Sequence, residues 1–158
     1  MEATNIVLIS SDNQKIEIDS ESAQKSHVLK GLITDYSTQQ EPIKIPDIKY
    51  DILKKVVEYL TYYKDKVPKD IPKPMPTTNL SELVDEWDVN FINSIDLDNV
   101  FDMIKAANYL DITSLLDLSC AKLASLMKGK NAQDIRNMFN IECDLTDEEL
   151  KEYEEYQI

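Results

Sequence analysis

The chain has 158 residues, 42% hydrophobic and 30% charged, with 17 Lys and Arg against 30 Asp and Glu for a net charge of -13. That apolar fraction supplies a domain-sized core and excludes wholesale disorder, while the charge excludes direct binding to nucleic acid or to an anionic membrane surface. The longest apolar stretches are a few residues, such as Ile6 to Ile9, so a soluble protein without a secretory signal is expected.

Residues Asn5 to Ser10 read as a buried strand, and Lys15 to Asp19 alternates with period two, the turn-forming Ser11-Asp12-Asn13-Gln14 lying between them. A β-hairpin is predicted. After Ser20 or Ser22, either able to cap a helix, Val28, Leu29, Leu32, Ile33 and Tyr36 recur at helical spacing and predict a helix ending near Tyr36. The chain's one histidine, His27, reads as a polar residue at that helix start, since catalysis would need a nucleophile and an orienting partner beside it. Ile43-Lys44-Ile45, between Pro42 and Pro46, predicts a short edge strand because proline cannot donate to a ladder. A helix over about Tyr50 to Lys64 follows, with Ile52, Leu53, Val56, Leu60 and Tyr63 on its apolar stripe.

Pro68, Pro72, Pro74 and Pro76 fall within nine residues, which forbids a helix and predicts an extended, solvated surface loop or linker. Trp87, between Glu86 and Asp88, is expected to anchor a loop onto the core. Asp96 or Asp98 can cap a helix carrying Leu97, Val100, Phe101, Ile104 and Ala107, which Asp111-Ile112-Thr113 interrupts. The next helix, Ser114 to Lys128, carries two stripes, Leu116-Cys120-Leu123-Met127 and Leu115-Leu118-Leu126, and burial on more than one side is expected. Gly129 supplies a left-handed helix end, Asn131 caps a short helix with Ile135, Met138 and Phe139 on its apolar face, and Thr146 with Glu149 forms a capping box. That terminal helix has a narrow seam, Leu150 and Tyr153, within a segment holding eight acids between Glu142 and Glu155, so it needs something to pack against.

The residue inventory leaves little room for chemistry. Two glycines cannot form a phosphate-cradling loop, and one histidine with two cysteines leaves no zinc pattern, so no cofactor or metal is expected. Cys120 and Cys143 fit a reducing compartment, cytosol or nucleus. Adjacent acids such as Glu148-Glu149 point about 100° apart on a helix and cannot flank one bond. Asp96-Leu97-Asp98 begins like a calcium loop, yet Phe101 and Ala107 occupy the positions that need Gly and Glu. No catalytic constellation emerges, and an enzyme is not expected. The C-terminal third instead holds more apolar residues than its short helices can bury against one another, the pattern of a groove that receives a partner's helices.

The string Ala106-Ala107-Asn108-Tyr109-Leu110-Asp111-Ile112, then Leu115-Leu116-Asp117, Cys120, Lys128-Gly129-Lys130, Asp134-Ile135-Arg136 and Phe139-Asn140-Ile141, resembles the S-phase-kinase-associated adaptor family of SCF (cullin–RING) ubiquitin ligases. Trp87-Asp88 with Phe91, Ile52 to Val56, and Thr146 opening an acidic helix extend the resemblance over nearly the whole chain. It implies an α/β BTB/POZ domain, a small sheet with surrounding helices, over residues 1–128 including the Pro-rich loop 65–79, and a C-terminal helical extension over 129–158. The implied partners are the F-box of a substrate receptor and the N-terminal domain of a cullin, with a weak homodimer when no F-box is bound. The implied F-box platform comprises Phe101, Ile104, Leu116, Cys120, Leu123, Met127, Ile135 and Phe139, with Leu150 and Tyr153 on the terminal helix, and the implied cullin contact is Asn108 and Tyr109.

Three departures stand out. Asn13 replaces the usual hairpin Gly but also tolerates positive φ, Tyr62-Tyr63 replaces an aromatic-His pair, and the family's terminal tryptophan segment is not found before Ile158. Two other readings share the BTB core. An elongin C-like adaptor would end before the Gly129 region, and a self-associating structural BTB protein, as in a kinetochore or repressor complex, would form oligomers without an F-box.

Overall fold

Alternating apolar and polar residues place one face of a hairpin against the core. In the computed structural model, which describes residues 5–36 and 41–155, and the side chains of these except 35, 36 and 153–155, β1 spans Asn5–Ile9 and β2 spans Lys15–Asp19. They pair antiparallel with Ile6 opposite Ile18 and Leu8 opposite Ile16. Only Leu8 of β1 is fully buried; the apolar run is half-buried rather than enclosed, because a three-stranded sheet offers it few neighbours. β3, Ile43–Lys44, runs parallel to β1 on the edge opposite β2, where its flanking prolines leave no ladder bond missing. Asn13 turns the hairpin at φ 61°. Asp12 accepts hydrogen bonds from the Ser10 hydroxyl at 2.6 Å and the Tyr50 amide at 2.9 Å, fastening this turn to the start of α3 (Tyr50–Tyr62).

The helix caps differ from those expected. Ser20 and Ser22 lie inside a single turn, α1 (Ser20–Ala23), and Asp19 is its cap, accepting from the Ser22 amide at 3.0 Å and hydroxyl at 2.6 Å. The longer helix α2 (His27–Tyr36) starts after a break at residues 24–26, and buried Ser26 accepts from the Leu29 amide while donating to the Leu110 carbonyl at 2.5 Å. A carboxylate caps as well as a hydroxyl and adds a favourable charge at the positive helix end. Asp19 also meets Lys64 at 3.1 Å. Burial would raise its carboxyl, but the Ser22 and Lys64 donors outweigh this and lower it to about 2.

Residues 66–79 carry no regular secondary structure, as the prolines require, yet the segment is tied down rather than free. Ile71 is buried, and Lys69 and Lys73 pair with Asp85 at 2.6 Å and Asp117 at 2.7 Å. Trp87 lies on a helix, not a loop: α4 spans Glu86–Asn93 and follows a 3-10 turn at Leu80–Glu82. Its indole stacks on Tyr62 with ring centroids 3.7 Å apart and on Phe91 at 5.0 Å. Buried Asp88, one residue on, accepts from the Tyr63 hydroxyl at 2.7 Å. An eight-residue helix bounded by Asp and Asn shows too little periodicity to be read from sequence.

Helix α5 (Leu97–Tyr109) turns a different face inward from the one expected. Val100, Met103, Ala106 and Ala107 are buried, whereas Leu97 and Ile104 are only partly covered and Phe101 is 39% exposed. Helix α6 (Thr113–Met127) buries Leu115, Leu118, Ser119 and Ala121 fully, while Leu116 and Leu123 of its other stripe pack against the core only in part. Two compact units result, residues 1–126 and 127–158. The second holds α7 (Ala132–Phe139), capped by Asn131, and α8 (Asp147–Glu155). Gly129, at φ 78°, ends α6 as expected, and Asn140, at φ 52°, does the same for α7.

Two stability predictions follow from these local geometries. Asp19→Ala should cost about 1 kcal/mol in urea unfolding at pH 7. Because the folded carboxyl is depressed, its contribution is present above the ordinary value of 3.8 and lost as pH falls towards about 2, so wild type and variant should converge there. Gly31, exposed within α2, has open space where a Cβ would stand, so Gly31→Ala should stabilise by about 0.5 to 1 kcal/mol in the same assay.

Candidate functional site

The apolar residues of α6 that the core covers only in part or leaves exposed form a line. At about 100° per residue, Leu116, Cys120, Leu123 and Met127 lie within about 60° of one another, on the side of the helix away from Leu115, Leu118 and Ala121. Leu116, Leu123 and Met127 are half-buried and Cys120 is exposed. Burial and then nearby Asp117 push the Cys120 thiol up, while Lys73 opposes them, so it stays protonated and serves as apolar surface. Asp117 sits on the flank of this line and holds Lys73 of the Pro-rich segment.

A second, partly covered face belongs to α5. Phe101, Ile104 and Asn108 also fall within about 60° of one another on the helix surface. Asn108 is exposed and Tyr109 is 45% exposed. The α5–α6 turn is held by Asp111 at φ 50°, whose carboxylate contacts His27 Nδ1 at 2.8 Å. His27 is therefore the helix-start residue expected of it, with a partner distant in sequence that no local pattern could reveal.

In the second unit, α7 buries none of its residues fully: Ile135, Met138 and Phe139 are half-buried, and Ile141 beyond it is 53% exposed. Asn131 accepts from the Asp134 amide at 2.8 Å, the cap the sequence indicates. Glu149 accepts from the Thr146 amide at 2.8 Å while its own amide donates to the Thr146 hydroxyl at 3.3 Å, the reciprocal pair of a capping box. Leu150 is half-buried; the Tyr153 side chain lies outside the described residues. Thus the structure brings Leu116, Cys120 and Leu123 together on α6, and Phe101 and Ile104 together with Asn108 on α5. Missed by the sequence reading were Asp117 and Lys73, since an ion pair 44 residues apart leaves no periodic signal.

Among the described residues no group of His, Cys, Asp and Glu could hold a metal ion, and no helix is long and apolar enough to cross a membrane. A small sheet with surrounding helices, followed by a helical extension and presenting apolar helix faces, defines a protein-docking module of the BTB/POZ type. Residues 4–65 match the Skp1 family tetramerisation domain, and residues 113–157 match the Skp1 family dimerisation domain. The chain is 48% identical to the S-phase kinase-associated protein 1 homolog of Tetrahymena thermophila, over 93% of this chain and 88% of that protein. It is 38% identical to the E3 ubiquitin ligase complex SCF subunit sconC of Arthroderma benhamiae, over 93% of this chain and 90% of the relative, and equally identical to that of Talaromyces marneffei, over 91% and 89%. The chain belongs to the Skp1 family.

Proposed function

We propose that this chain is the non-enzymatic adaptor of an SCF (cullin–RING) ubiquitin ligase, joining the F-box of a substrate receptor to the N-terminal domain of a cullin. Family membership over almost the full chain supports the assembly, and the only partly covered apolar line on α6 is the observation that carries the assignment of its F-box face. Leu116, Cys120, Leu123 and Met127 receive the apolar side of the F-box, and Ile135, Phe139, Leu150 and Tyr153 of the C-terminal extension are assigned to F-box binding as well. A helix-in-groove contact of this kind takes its affinity from buried aliphatic and aromatic anchors.

Asn108 and Tyr109 form the cullin contact. Phe101 and Ile104 share the helix face of Asn108, so we group them with the cullin side rather than with α6. The tyrosine ring offers large area with few rotors to freeze, and Asn108 adds hydrogen bonds at its margin. Without an F-box the α6 line is open to a second copy, giving a weak homodimer. Two free, exposed cysteines suit a reducing cytosolic and nuclear setting.

Each face has its own test. Leu123→Asp should abolish binding of an F-box domain while cullin binding persists; unchanged F-box affinity by calorimetry would remove Leu123 from the site. Conversely, changing Asn108 and Tyr109 to Lys should cost more than about 2 kcal/mol in cullin binding. F-box binding should then persist, and loss of both partners together would indicate a folding defect.

A further inference from the structure

The segment from Lys64 to Pro76 is locally positive on a chain of net charge -13, with Lys64, Lys66, Lys69 and Lys73 against Asp65 and Asp70. Most of this charge is engaged within the chain. Lys64 meets Asp19 and Glu21, Lys66 lies 3.5 Å above the Tyr62 ring centroid, and Lys69 meets Asp85. Lys73 differs in its place. It bonds Asp117, which lies on α6 between Leu116 and Cys120, and its charge reaches the Cys120 thiol. Its side chain is 68% exposed while that of Asp117 is only 27% exposed, so the ammonium is the member of the pair presented to solvent. With three N–H donors and a single carboxylate bound, Lys73 has capacity for another acceptor. The chain bends at Lys73 and Pro74, and exposed Pro72 and Pro74 on either side restrict the backbone without adding rotors that binding would have to freeze.

We infer that the Pro-rich segment forms a side wall of the α6 docking face, and that Lys73 there receives a carboxylate on the margin of the F-box helix that occupies the Leu116–Cys120–Leu123 line. This rests on the F-box reading of α6 and adds to it the charge its occupant carries. The wall is continuous with the line, because Asp117 stands only about 60° around the helix from Cys120. Lys73 is a rim charge, so it acts mainly on the rate of encounter and on its salt dependence, with a modest share of the affinity.

The test measures binding of a recombinant F-box domain to the full chain by surface plasmon resonance at several salt concentrations. Lys73→Gln should weaken binding about two- to fivefold, chiefly through the association rate, and flatten the salt dependence. Asp117→Asn breaks the same intramolecular pair but keeps the ammonium, and should bind as well as wild type or better. Unchanged binding and salt dependence in Lys73→Gln would overturn the inference while leaving the α6 face intact, provided Leu123→Asp still abolishes binding. Equal losses in Lys73→Gln and Asp117→Asn would also overturn it, since the pair would then merely hold the segment in place. Binding retained by Leu123→Asp would remove the α6 face itself. Thermal unfolding and cullin binding of each variant report whether the fold persists.

Discussion

Helix α3 is the element against which the rest of the first unit is built. Ile52, Leu53, Val56, Tyr59, Leu60 and Tyr63 occupy an arc of about 120° on and just beyond it, and none is more than 6% exposed. A surface so wide cannot be covered by one neighbour, and α1, β2 and α5 all pack against it. Burial of each large side chain stabilises by roughly 1.5 to 3 kcal/mol, so the positions of these elements are set mainly by α3. The orientation of α5 against it decides which residues of α5 are left for a partner.

Polar contacts fix the ends of this packing. Asp12 holds the hairpin to the α3 start, Lys64 holds the region beyond its end to Asp19 and Glu21, and Ser26 ties α2 to the end of α5. The Tyr63–Asp88 bond joins the end of α3 to α4 in a buried setting. Burial pushes the Asp88 carboxyl above the usual carboxylate range, although Tyr63 and the Asp85 amide donate to it. Burial first, and then the same carboxylate, raise the Tyr63 hydroxyl, so the proton stays on the phenol. A histidine at this position would change charge near neutral pH; tyrosine supplies a neutral donor whose bond does not depend on it.

The proposed docking surface on α6 arises from a geometric excess. Helix α6 has apolar residues on more of its circumference than the first unit covers, so Leu116, Cys120 and Leu123 remain only partly enclosed or open. An apolar line on a chain of net charge -13 would invite association, and the charge around it moderates that tendency. The Pro-rich segment is tied to the flank of α6 by the Lys73–Asp117 ion pair. Capping of α7 and α8 by their own side chains fixes where each helix begins without using tertiary contacts, and leaves their apolar residues for packing.

The sequence by itself determined what depends on local chemistry. The hairpin with Asn13 at positive φ, the edge strand between prolines, the extent of α3, the Gly129 stop, the Asn131 cap and the Thr146–Glu149 box all follow from residues within a few positions of one another. Family membership was legible in the string from Ala106 to Ile112 and its companions, because their order and spacing are specific. Tertiary structure decided what depends on distant neighbours. Asp19 displaced Ser20 and Ser22 as a cap because Lys64 and Ser22 converge on it; Trp87 became helical where Tyr62 and Phe91 offered stacking faces. Met103 and Ala106, rather than Phe101 and Ile104, were drawn inward because several faces of α5 are apolar enough to be buried, and periodicity cannot choose among them. Contact with the rest of the unit makes that choice, and with it determines which apolar residues remain for a partner.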